Sequence, residues 1–101
     1  MAAHAEYKAP GGKLVVVDVE IRGDTIERVE LSGDFFLEPP EALDDIVAAL
    51  AGQSIDSDVA ELSELIHERL GDGVEFIGFS PEAVAIAVSR ALEADTPRER
   101  L

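Results

Sequence analysis

The chain holds only two lysines, and both lie in one short segment, Lys8-Ala9-Pro10-Gly11-Gly12-Lys13. Paired glycines let backbone approach a ligand closely, and a lysine beside them offers a compact positive charge to a phosphate or carboxylate. Lys13 is the leading candidate, with Gly11 and Gly12 shaping the loop and Lys8 and Pro10 flanking it. The same residues also read as a plain β-turn with solubilising lysines, and both readings stand at this point. A phosphate-binding P-loop is excluded: its glycine spacing is absent, and Leu14 follows Lys13 where a hydroxyl would be needed to hold magnesium.

Gly33-Asp34-Phe35-Phe36 is the second segment of interest. Alternation along a strand sends adjacent side chains to opposite faces, so one phenylalanine ring must leave the core. In the expected register Phe35 is buried and Phe36 shares the outer face with Ser32 and Asp34, where an exposed ring suits an interface anchor. The alternative is a bulge at Gly33 that turns both rings inward.

Other chemistry finds little support. No cysteine is present, which removes disulfides, thiolate metal sites, iron–sulfur ligation and cysteine nucleophiles together. His67 has no second histidine at ligand spacing and reads as a surface residue. Asp56 and Asp58 resemble half of a calcium loop but lack its glycine and terminal glutamate, so helix capping explains them better. No catalytic grouping of serine, histidine and acid can be assembled, and no residue is assigned as catalytic or as a metal ligand. With 22 acidic against 8 basic residues the net charge is −14, which lacks the basic footprint nucleic acid requires. The acid is dispersed along the chain, as suits a surface adapted to molar salt. A secretory leader and a run of apolar residues long enough to span a membrane are both absent from the 101 residues, so a cytoplasmic protein with no membrane partner is expected.

These segments need elements to hold them. One domain over residues 1–101 is expected, with 47% apolar residues for a core and a frayed tail at 96–101. A first strand runs through Tyr7. The second, Leu14 to Arg22, alternates cleanly with Val15, Val17, Val19 and Ile21 on one face. A third is expected from Ile26 to Leu37, pairing Val19 with Val29, Val17 with Leu31 and Val15 with Gly33. That register predicts a three-residue loop, Gly23 to Thr25.

The period then changes to that of a helix. Pro40 is expected as the first helical residue, before a stripe of Leu43, Ile46, Val47 and Leu50 closed by Gly52. A second helix carries Val59, Leu62, Ile66 and Leu70, capped by Asp56 or Ser57. Val74 to Phe79 is either a short strand or an apolar crossing. Ser80-Pro81-Glu82 starts a last helix whose run from Ala83 to Val88 is apolar on every side, which marks it as central to the helical layer. Strands followed by helices imply an α+β fold, in which an antiparallel sheet, built as an N-terminal meander, is covered on one face by about three helices.

Tyr7-Lys8-x-Pro-Gly-Gly-Lys13-Leu14-Val15, a glycine-turn hairpin, Ser32-Gly33-Asp34-Phe35-Phe36 and a proline-started helix, in that order, resemble the C-terminal accessory domain of lipoate–protein ligases. The likeness is greatest to the archaeal form, where that domain is a separate small subunit, and it covers Tyr7 to about Leu92. A haloarchaeal source fits both the likeness and the charge. The resemblance implies a SufE/NifU-like fold, that of iron–sulfur cluster assembly scaffolds, without the cysteines a scaffold needs. It implies no cofactor bound by this chain alone, with ATP, Mg²⁺ and lipoate held in the complex with a catalytic subunit. It further implies a role in forming lipoyl-adenylate, which then acylates a lysine on the lipoyl carrier domain of a 2-oxoacid dehydrogenase or on the glycine-cleavage H protein. A different class of function is an interaction domain of the same fold that binds another partner, or a lipoyl carrier, without taking part in ligation.

Overall fold

The computed structural model describes residues 2–8, 11–71 and 73–94. Pro10 and the expected tail at 96–101 lie outside them. Three strands, β1 (Ala2–Lys8), β2 (Leu14–Arg22) and β3 (Thr25–Gly33), form an antiparallel sheet in the order β1-β2-β3. Helices α1 (Ala42–Leu50), α2 (Val59–Leu70) and α3 (Pro81–Ala94) complete an α+β arrangement, and two short strands, β4 (Phe36–Glu38) and β5 (Glu75–Ile77), pair as a separate ribbon.

The core forms because alternation in the meander sends one set of side chains inward. Val15, Val17, Val19 and Ile21 of β2 and Ile26, Val29 and Leu31 of β3 are buried, with Ala3, Ala5 and Tyr7 of β1 packed beside them. The outer face carries charge: Arg28 of β3 approaches Glu20 of β2 at 3.8 Å, and His4 of β1 bonds Asp18 of β2 at 2.8 Å. Helix α3 is enclosed as expected, with Val84, Ala85, Ala87, Val88 and Ala91 fully buried. Burying a valine or leucine side chain is worth about 2 kcal/mol, so Val84, Val88 and Leu92 together anchor this helix more firmly than any cap. Its start is the expected one, the Ser80 hydroxyl accepting the Ala83 N–H at 3.1 Å. Within the crossing from Val74 to Phe79, Glu75–Ile77 forms a short strand.

Four local expectations are corrected. The hairpin pairs Val19 with Val29 and Val17 with Leu31, but the loop is only Gly23 and Asp24, because Arg22 pairs with Thr25 and Ile21 with Ile26. A bulge at Glu27 adds the residue that restores the register, so loop length and bulge had compensating effects on parity. The strand expected through Leu37 breaks after Gly33, and Phe36–Glu38 leaves the meander to pair with Glu75–Ile77. Helix α1 begins at Ala42, not Pro40; the Pro39 and Pro40 carbonyls accept N–H bonds from Ala42 and Leu43 in a tight preceding turn. Its buried face is Ala42, Ile46, Ala49 and Leu50, with Leu43 and Val47 at the margin.

The cap of α2 is Asp58, not Asp56 or Ser57. Its carboxylate accepts the Glu61 N–H at 2.8 Å while the Glu61 carboxylate accepts the Asp58 N–H at 2.9 Å, a reciprocal capping box. Asp58 thus caps α2 through its carboxylate. Gly52 follows α1, and its N–H reaches back to the Ile26 carbonyl at 2.7 Å, while Ile26 in turn donates to Gln53 at 2.8 Å. These bonds cover part of the outer edge of β3, which would otherwise present unpaired backbone.

Candidate functional site

Both segments singled out in the sequence come to one end of the sheet. Strand β1 ends at Lys8, directly opposite Leu14 at the start of β2, so the glycine turn closes that end. Lys13 donates its backbone N–H to the Gly78 carbonyl at 2.7 Å. Its side chain also lies along Gly78, since a Cβ added there would stand 2.6 Å from the Lys13 Cγ. The turn is thereby tied to the crossing between β5 and α3.

Gly33 is drawn in from the other side. The Leu14 carbonyl oxygen accepts the Asp34 N–H at 3.3 Å, and a Cβ at Gly33 would collide with that same oxygen. Gly33 adopts φ +144, a conformation L side chains rarely take, so glycine is required here by both space and backbone. Phe35 turns inward and stacks on Phe79 with ring centroids 4.0 Å apart, and Phe79 in turn meets Phe76 at 4.8 Å. Phe36 points out, 70% exposed, and Asp34 and Ser32 are exposed as well. A bulge that buries both rings is therefore ruled out.

The sequence-derived candidates thus divide. Lys13, Gly33 and Asp34 are joined through Leu14 and Gly78, and Phe36 is the register partner of Ile77, the residue before Gly78. Lys8 and Gly11 are exposed on the turn and Gly12 is half-buried. Neither lysine forms an ion pair among the described residues. The sequence reading missed Ile77, Gly78 and Phe79. Their signal was the apolar run ending in Gly-Phe-Ser-Pro, too short to place before its partner strand was known.

Two polar clusters lie elsewhere. His4 sits between Asp18 and Glu6, and hydrogen bonds to these carboxylates, that to Asp18 foremost, hold its imidazole above the ordinary value of 6.5. Glu82 on α3 accepts from His67 at 3.1 Å and from the Ser63 hydroxyl at 3.1 Å, and the His67 bond above all keeps its carboxyl below the ordinary 4.5. Serine and histidine both bond the glutamate and not each other, so the group links α2 to α3. Among the described residues no set of three ligating side chains is placed to hold a metal, and no helix is long and apolar enough to cross a membrane.

The chain is 30% identical over 76 residues to lipoate-protein ligase A subunit 2 of Thermoplasma acidophilum, which covers 75% of this chain and 76% of that protein. The chain belongs to the lipoate-protein ligase A subunit 2 family. A solved structure agrees: the bi-partite lipoate protein ligase and its E2 lipoyl domain of the archaeal lipoylation system of Thermoplasma acidophilum contains a chain that matches with a TM-score of 0.72 and 27% identity. That match covers 87% of this chain and 94% of the other, so the α+β layout described above is shared with a chain of that lipoylation system. No family model matches the chain.

Proposed function

We propose that this chain is the accessory subunit of a two-part lipoate–protein ligase, needed for ATP-dependent activation of lipoate to lipoyl-adenylate. The observation that supports this best, beyond membership of the subunit 2 family, is the meeting of the Lys13 turn and the Phe36 segment at one end of the molecule. A subunit that completes another's site needs a reactive-group contact and an adhesive surface close together. In this reading Phe36 belongs to the adhesive surface and Lys13 approaches the shared site.

The chemistry fits a lysine. When the lipoate carboxylate attacks the α-phosphorus of ATP and pyrophosphate leaves, negative charge gathers on phosphate oxygens, and a fixed ammonium stabilises it. Gly78 has no side chain to displace the Lys13 stem, so the stem can lie against the backbone there. ATP, Mg²⁺ and lipoate would be held by the catalytic subunit as substrates. Transfer to a lipoyl carrier domain would follow in that subunit's site. The net charge of −14 is read as adaptation to a saline cytoplasm.

The experiment incubates the catalytic subunit with ATP, Mg²⁺ and lipoate, with and without this chain, and measures lipoyl-adenylate. A strong increase on adding the chain is expected. Equal adenylate in the two samples overturns the reading.

A further inference from the structure

We infer that the outward face of the β4–β5 ribbon is the seat of the catalytic subunit, which inserts an apolar side chain beside Phe36 and Ile77 and places a basic one between Glu38 and Glu75. This rests on the proposed function and assigns it a surface.

Three observations carry it. Phe36, 70% exposed, and Ile77, 44% exposed, are the large apolar side chains left open to solvent among the described residues, and they are direct register partners. Their apolar surface continues into a groove of about 210 Å³ lined by Phe35, Phe36, Leu37, Pro40 and Leu43. A groove beside an exposed ring is the shape that receives an anchor residue. Two residues along the same face, Glu38 and Glu75 are also direct partners, both exposed and neither in an ion pair among the described residues. Opposed like charges weaken a ribbon, and one of only three residues per strand has little pairing to spare. A lysine or arginine from a partner removes that repulsion.

The pattern also discriminates between occupants. In a two-fold pair of identical chains the patch would meet its own image, setting carboxylates against carboxylates or against rings, between molecules that each carry −14. A different protein with a basic residue beside an apolar one complements both halves of the face. Lys13 then stands at the rim, because its backbone bond goes to Gly78, next to Ile77.

The test measures binding of the catalytic subunit by calorimetry at fixed salt, with the wild-type chain, Phe36→Ser/Ile77→Ser and Glu38→Lys/Glu75→Lys. Thermal melts verify folding; the charge-reversal pair alters only exposed side chains and keeps the test decisive should the apolar pair unfold. Each double variant is expected to raise Kd at least about tenfold. The control Glu64→Lys/Glu68→Lys, which reverses the same charge on α2, is expected to leave Kd unchanged. If the wild type neither binds nor stimulates adenylation, the proposed function fails and takes this inference with it. If the wild type does both and the folded ribbon variants match it, only this inference is overturned. Sedimentation that shows a wild-type dimer dissociated by the variants would assign the face to a second copy. Variants that keep ligase binding but lose transfer to the carrier domain would assign it to that domain, and either result also overturns the inference.

Discussion

Lys13 and Gly78 are joined twice, by a backbone hydrogen bond of 2.7 Å and by the passage of the lysine stem over a residue without a side chain. The contact couples the β1–β2 turn to the start of α3, two places far apart in sequence. Adding a methyl group at Gly78 or at Gly33 should therefore have different consequences. At Gly33 the obstacle is the Leu14 backbone oxygen, which cannot yield, and φ is +144, so Gly33→Ala is expected to cost about 3 kcal/mol. At Gly78 the obstacle is a flexible lysine stem, and with φ +90 the cost should be about 1–2 kcal/mol, with Lys13 displaced. Urea denaturation of both variants checks the order; equal losses would contradict it.

Lys13→Ala separates chemistry from folding. The side chain is exposed and its backbone bond survives the change, so stability should stay within about 0.5 kcal/mol of wild type. Adenylate formation in the complex should fall about 10²-fold, the scale for losing one positioned charge-stabilising donor. Unchanged turnover would reduce the turn to a structural element.

The capping box makes a local prediction. Asp58→Ala leaves the Glu61 N–H without its carboxylate and should destabilise the fold by about 1 kcal/mol, whereas Asp58→Ser keeps an acceptor and should lose less. Asp56→Ala should be near neutral by comparison. Chemical denaturation of the three variants in one buffer distinguishes them.

Two groups set opposite pH dependences. The folded-state value of Glu82 is lowered, so its contribution is present above 4.5 and is lost as pH falls through the folded value; Glu82→Gln should flatten stability in that acid range. The folded-state value of His4 is raised, so its contribution is present below 6.5 and is lost as pH rises through the folded value. NMR titration should place His4 above 6.5 and return it toward 6.5 in Asp18→Asn. Because His4, Asp18 and Glu6 are exposed, molar salt should shrink the His4 shift as well.

Dispersed acid predicts a salt response. Raising KCl toward 1 M shortens the screening length to about 3 Å and should raise the thermal midpoint steadily. A midpoint independent of KCl would remove the saline reading of the charge.

The elements that repeat regularly were legible in the residues alone. The alternation of Val15, Val17, Val19 and Ile21 and the apolar run Ala83 to Val88 of α3 follow from local periodicity, which a single strand or helix imposes on its own sequence, and the Val19 to Val29 pairing follows from matching the apolar faces of two such strands. So did the inward Phe35 and outward Phe36, because parity survives the break at Gly33. What tertiary structure alone decided was where that strand stops and what lies across from it. The Leu14 oxygen over Gly33 ends the meander, and β5, some forty residues onward, turns Phe36–Glu38 into a ribbon. The meeting of Lys13 with Gly78 and of Phe36 with Ile77 depends on how the helical layer returns the chain to the sheet. No local pattern encodes such a contact, because it is set by packing between segments distant in sequence.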